Sequence, residues 1–156
     1  MSLYDVFDAI EQSPIGAGIK NSTWLFPGIE AVHLLALALL GGSVLLLDLR
    51  LLGVGLVGQT PSAVERSVRP FLVTALIVLI VTGALIASSE AIKLYGKPAY
   101  WVKMSALAAA IVFTFAVRNP FARRDPRTGI VTAMVALISL ALWLTVGIAG
   151  RWIGFS

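Results

Sequence analysis

Four long apolar stretches, separated by short polar ones, set the plan of this chain. They run from about Trp24 to Leu47, Phe71 to Ser88, Tyr100 to Val117 and Ile130 to Ile148. A helix climbs about 1.5 Å per residue, so roughly 20 apolar residues cross the ~30 Å hydrocarbon core of a bilayer. The third stretch is short and calls for thinned lipid or snorkelling ends. There is no internal repeat and no low-complexity linker. The pattern predicts a single integral membrane domain over residues 1–156, an all-α four-helix transmembrane bundle.

The polar segments carry their own signals. Leu3, Val6, Phe7 and Ile10 share one helical face, with Asp5, Asp8, Glu11 and Gln12 mostly opposite. Ser2 followed by Asp5 is a capping pattern. Together they predict a short N-terminal amphipathic helix lying at the membrane interface. Pro14, Gly16 and Gly18 are expected to break it. Thr60-Pro61 reads as another helix start, with Thr as cap and Pro in the first turn. That helix would carry Glu65, Arg66 and Arg69 until Pro70 kinks or restarts it. The run RNPFARRDPRTG, Arg118 to Gly129, reads as a basic polar turn.

Composition agrees with the pattern. Hydrophobic residues make up 58% of the chain and charged residues 13%, against roughly 25% charged in soluble domains. A chain of this size has too little interior to hide that much apolar surface from water. Cysteine is absent, which excludes disulfides, thiolate metal sites, iron–sulfur clusters and Cys catalysis. The formal charge of +4 comes largely from arginines lying between apolar stretches, so it bears on topology; no nucleic-acid motif accompanies it. The acidic N-terminus lacks the basic-then-apolar order of a secretory signal and reads as part of the mature protein.

Lys and Arg are unevenly divided. The segments after the first and third stretches hold seven, Arg50, Arg66, Arg69, Arg118, Arg123, Arg124 and Arg127. The other side holds five, Lys20, Lys93, Lys97, Lys103 and Arg151. The positive-inside rule then places the arginine-rich side in the cytoplasm and both termini outside, in a multi-pass protein of the inner (cytoplasmic) membrane. Trp24, Tyr95, Tyr100, Trp101 and Trp152 would form an aromatic belt at the outer interface.

The polar residues inside the apolar stretches carry the candidate chemistry. With Trp24 as interface marker, Glu30 lies about 9 Å deep and His33, the chain's one histidine, about 13 Å deep. Spacing i, i+3 puts them on one helix face. A carboxylate there needs a partner, a proton or local water. Lys103 is the candidate partner, with Glu90 at the mouth of the cluster. Three roles for His33 stay open: a hydrogen bond that sets helix register, a ligand to heme or a metal, and a proton relay. Met104, beside Lys103, or the His33 of a second copy would supply a second heme ligand. A metal site would use His33 and Glu30. Copper's soft ligands are limited to Met1, Met104 and Met134. At the other end, Asp48 and Arg50 do not face each other at i, i+2. Asp48 is expected to meet Arg69 or Arg118, and Arg50 to snorkel to lipid phosphate. About 22 Å of helix separates Asp48 from His33.

Other signals are structural. Gly41, Gly42 and Ser43, and the run Ala106 to Ala110, allow close helix approach within the bundle or between copies. Thr74, Thr82, Thr114, Ser139 and Thr145 are expected to bond their own helix carbonyls. Asn21-Ser22-Thr23 matches the glycosylation acceptor pattern but abuts Trp24, and reads as an unmodified polar segment. No hydrolase, zinc-protease, P-loop or dinucleotide motif is present, so a hydrolase is not expected, and whether the chain is an enzyme of another kind stays open.

IEAVHLLALALLGGSVLLLDLRLLG, then YGKPAYWVKMSALAAAIV, resembles a family of small bacterial four-helix membrane proteins of unknown function. Glu30, His33, Asp48, Arg50, Leu51, Leu52, Gly53, Pro98 and Lys103 carry the likeness. That family is distantly similar to the copper-resistance protein D group and to membrane b-type cytochromes. The resemblance implies a helical bundle and His33 as a ligand; the multi-histidine, two-heme scheme of the cytochromes does not transfer to a chain with one histidine. The leading expectation is a membrane protein binding heme b or a copper-like metal ion through His33, in electron transfer, with Glu30 and Lys103 supporting the site. The alternatives are a cofactor-free transporter or proton-coupled channel subunit, and a structural or assembly subunit. A homo-oligomer or membership of a larger membrane complex is expected, in contact with lipid and not with nucleic acid.

Overall fold

In the computed structural model, which describes residues 2–155, every regular element is a helix. Helix α1 (Leu3–Glu11) starts at the expected capping box. The Ser2 hydroxyl accepts from the Asp5 amide at 3.2 Å, and the Asp5 carboxylate accepts from the Ser2 amide at 2.7 Å. The chain does not stay broken after it. Ser13 caps a second short helix, α2 (Pro14–Lys20), with Pro14 in the first turn, where a missing N–H leaves no ladder bond unmade. Gly16 serves close approach rather than helix breaking: a Cβ there would lie 2.6 Å from the Ser88 carbonyl oxygen.

Four helices are long and apolar enough to cross a membrane: α3 (Leu25–Leu52), α4 (Pro61–Ser89), α6 (Pro98–Ala122) and α7 (Ile130–Ile153). A short helix, α5 (Ala91–Tyr95), links α4 to α6. The four have 28, 29, 25 and 24 residues, so each is about 36 to 44 Å long. Pro70 does not divide α4, which runs unbroken from its Thr60 cap. The third span is not short. It continues beyond Val117 because Thr114–Arg118 forms a π-turn, closed by the Asn119 amide donating to the Thr114 carbonyl. Pro120 follows and has no N–H, so the regular ladder is interrupted there in any case.

The 53–60 and 123–129 connections share one end of the bundle, joined where Asp125 accepts from the Ser62 amide and hydroxyl at 2.8 and 2.9 Å. Both termini lie at the other end, where Lys97 Nζ donates to the Ile153 carbonyl at 2.6 Å. We call these the arginine-rich end and the terminal end. Helix α3 packs on α4 and α7, and α6 packs on α7. Leu47, Leu51, Val64, Val68, Ala122 and Ala136 form one core layer; Leu40, Val44, Leu72, Ala75 and Leu76 form the next. Outward faces are apolar as well, with Leu34, Leu35, Ile77, Val112, Leu137 and Ile148 exposed, as lipid contact requires. Packing is uneven along the axis. From the terminal end, no α3 side chain is buried before Ala36 and no α6 side chain before Ala110.

The terminal end is covered by α1, α2 and α5. Tyr4, Phe7, Tyr95, Tyr100 and Trp101 pack as a chain of edge-on and tilted rings, centroids 5.3 to 6.4 Å apart. Glu11 ties the cover together: Lys20 Nζ donates to one carboxylate oxygen at 2.5 Å and the Ile92 amide to the other at 2.9 Å. The Lys20 bond first, and the Ile92 amide second, hold the Glu11 carboxyl below its ordinary value. A lowered folded-state value means the link is complete above the usual carboxylate range and fades as pH falls through the folded value. Protection of the Ile92 amide, its exchange rate set against the intrinsic rate at each pH, should therefore fall on acidification, and Glu11→Gln should lower it already at neutral pH. Hydrogen exchange in detergent or nanodiscs checks both.

Candidate functional site

His33 sits on α3, half-buried in the looser half of the bundle. Its Nδ1 lies 2.7 Å from Thr82 Oγ1 on α4. The Thr82 hydroxyl already donates to the Val78 carbonyl at 2.6 Å, so its oxygen is left to accept. The ring must then donate through Nδ1–H. In a neutral imidazole this leaves the Nε2 lone pair bare, the form that binds a metal. Helix α4 approaches closely here because residue 83 is glycine: a Cβ on it would lie 3.3 Å from His33 Cε1.

Lys103, on α6, lies in the same half of the bundle. Its stem lies over Gly150 of α7, where an added Cβ would meet Nζ at 3.4 Å. The ammonium is close enough for its charge to act on His33. It has no hydrogen-bond or ion-pair partner among the described residues. Other residues expected here lie elsewhere. Glu30 is exposed and forms no hydrogen bond or ion pair among the described residues. Glu90 pairs with Lys93 at 3.2 Å. Met104 and Met134 are exposed on the outer surface of the bundle, and Met1 lies outside the described residues. No group of three or more His, Cys, Asp or Glu side chains converges among the described residues.

A second polar site lies near the arginine-rich end. Asp48 of α3, Arg118 of α6 and Ser139 of α7 are each fully buried. Arg118 Nη1 donates to Asp48 Oδ1 at 3.3 Å and to Ser139 Oγ at 3.2 Å; its Nε donates to Asn119 Oδ1 at 3.2 Å. Ser139 Oγ donates to Asp48 Oδ2 at 2.7 Å. Beside them Glu65 of α4, 1% exposed, accepts from Arg123 Nη2 at 2.9 Å. Arg118 thus belongs to the buried interior rather than to a polar turn, and it is Arg118, not the exposed Arg69, that Asp48 meets. Arg50 bonds the Gln59 carbonyl through Nε, so it is held by the 53–60 connection.

Sequence reasoning missed several members of both sites. Thr82 bonds its own helix as expected and also orients the imidazole. Ser139 turns to Asp48 instead of its own carbonyls, and Thr114 accepts from Trp143 Nε1 at 3.0 Å. Glu65 carried no signal beyond being an acid near a helix start. Between the two sites Leu40, Val44, Leu72, Ala75 and Leu76 form an apolar layer.

Four apolar spans, a polar cap at one end and charges sealed within define a small multi-pass membrane protein of the all-α class. The chain belongs to the family of unknown function DUF6644, whose model matches residues 7–156. No curated protein and no solved structure matches it.

Removing one member of a sealed ion pair strands the other charge, at about 3–5 kcal/mol. Asp48→Ala should lower unfolding stability by that order, and Asp48→Leu with Arg118→Met together should recover most of it. Thermal or denaturant unfolding in detergent gives the comparison.

Proposed function

We propose that this protein binds heme b through His33 Nε2 and serves in electron transfer within the membrane. The observation that carries the reading is the Thr82 hydroxyl, which donates to Val78 and so accepts from His33 Nδ1–H, leaving Nε2 bare. Second partners of this kind fix the tautomer and orientation of ligating histidines. A bare metal ion fits less well. It needs several protein donors, and here only one imidazole is offered beside an unpaired ammonium, Lys103. A porphyrin brings its own four nitrogens and its own carboxylates, so the His33 imidazole would hold it and the Lys103 ammonium would suit its negative charge. When bound, the iron supplies one-electron redox chemistry. The apolar layer between the two polar sites favours this reading over proton-coupled transport. If a second protein ligand is needed, another copy or a partner subunit would supply it.

The purified protein should show a Soret band that His33→Ala abolishes while α-helical circular dichroism is kept. Thr82→Val should weaken heme affinity about 10- to 100-fold. No Soret band after expression with ample heme would end the proposal, and copper found by elemental analysis would transfer the site to a metal ion.

We also place the arginine-rich end in the cytoplasm. The chain has no cysteine, so single cysteines can report sidedness without background. A cysteine at Ser2 should react with an impermeant reagent added outside intact cells, and one at Thr128 only after lysis. The reverse pattern would invert the topology.

A further inference from the structure

Among the described residues, two buried side-chain polar atoms are left without any partner: Arg118 Nη2 and Glu65 Oε2. They lie in one core layer: Leu47 and Leu51, on either side of Asp48, pack with Val64 and Val68, on either side of Glu65, and with Ala122 of α6, and Glu65 bonds Arg123, five residues beyond Arg118. One is a donor and the other an acceptor. Leaving both unmade in a sealed, low-dielectric place is costly, so nearly all such groups in folded proteins are satisfied by protein or by ordered water. The two atoms do not bond each other directly. The one small molecule that accepts from a guanidinium and donates to a carboxylate at once is water.

We propose that a single buried water molecule bridges Arg118 Nη2 and Glu65 Oε2. It makes Ser139, Asp48, Arg118, Glu65 and Arg123 one continuous hydrogen-bonded chain. That chain joins α7, α3, α6 and α4 in turn, because the direct bonds at its two ends are already in place. It also reaches the outside: Arg123 is 44% exposed at the arginine-rich end, whereas Asp48 is fully buried. Without the water, the Glu65–Arg123 pair has no hydrogen bond to Asp48, Arg118 or Ser139 among the described residues. With it, the fully buried pair has a polar link to the bundle's aqueous end.

The test is a structure of the full chain in lipid nanodiscs at a resolution that shows ordered water. A peak about 3 Å from both Arg118 Nη2 and Glu65 Oε2 is expected. A direct Arg118–Glu65 contact, or a gap with no peak, overturns the proposal. Unfolding of three variants gives an independent reading. Arg123→Gln removes only the exposed bond, Glu65→Gln keeps an atom that can hold the water, and Glu65→Met expels it. The drop in melting temperature for Glu65→Met should be roughly twice that for the other two or more. Equal drops for Glu65→Met and Arg123→Gln would also overturn it.

Discussion

The sealed pair of Asp48 and Arg118 is the constraint to which the rest of the bundle answers. Two full charges inside a lipid-embedded bundle are tolerable only if each keeps its partner and its remaining hydrogen bonds. That requirement fixes the rotation of three helices together. Helix α3 must present Asp48 inward, α7 must present Ser139 within 2.7 Å of it, and α6 must bring Arg118 to both. Apolar packing alone is forgiving, because lipid is as apolar as leucine and gives helices little reason to prefer one face. The ion pair removes that freedom. The π-turn at Thr114–Arg118 belongs to the same solution, since its extra residue per turn turns both Thr114 and Arg118 inward.

The histidine site works on a smaller scale by a similar economy. Thr82 has one proton and gives it to Val78, so His33 must give its own to Thr82. Each donor in that short series has one acceptor, and the remainder appears as an unused lone pair on Nε2. Glycine on α4 and glycine on α7 let the imidazole and the Lys103 stem lie close against neighbouring backbones. Both groups lie in the half of the bundle where burial is incomplete.

Much of the fold was legible in residue order. Hydropathy places four spans, Ser2 and Asp5 place a cap, and Thr60-Pro61 places a start, because each depends on neighbours in sequence. What depends on neighbours in space was less legible. Arg118 sits next to a basic run, and its sequence context resembles the exposed Arg123 and Arg124; only the opposite Asp48 distinguishes it. Ser139 and Thr82 look alike as lone hydroxyls in apolar helices, yet one turns to a carboxylate and the other to both a ring and its own carbonyl. The i, i+3 spacing of Glu30 and His33 suggested a shared site, but residues sixty degrees apart on a helix straddle the boundary between interior and surface, and Glu30 falls outside. Lys103 was expected level with His33 because depth from the same end is readable along each span; which way a side chain faces is not.

The uneven packing along the bundle has a mechanical consequence. At the arginine-rich end, Leu47, Leu51 and Leu72 are completely covered and the ion pair is closed over. Toward the termini the facing side chains of α3 and α6 are only half covered. The four helices therefore act like tongs hinged near Asp48, their tips held by the Glu11 and Lys97 bonds rather than by core packing. The hinge stays shut meanwhile, because opening it would separate buried charges.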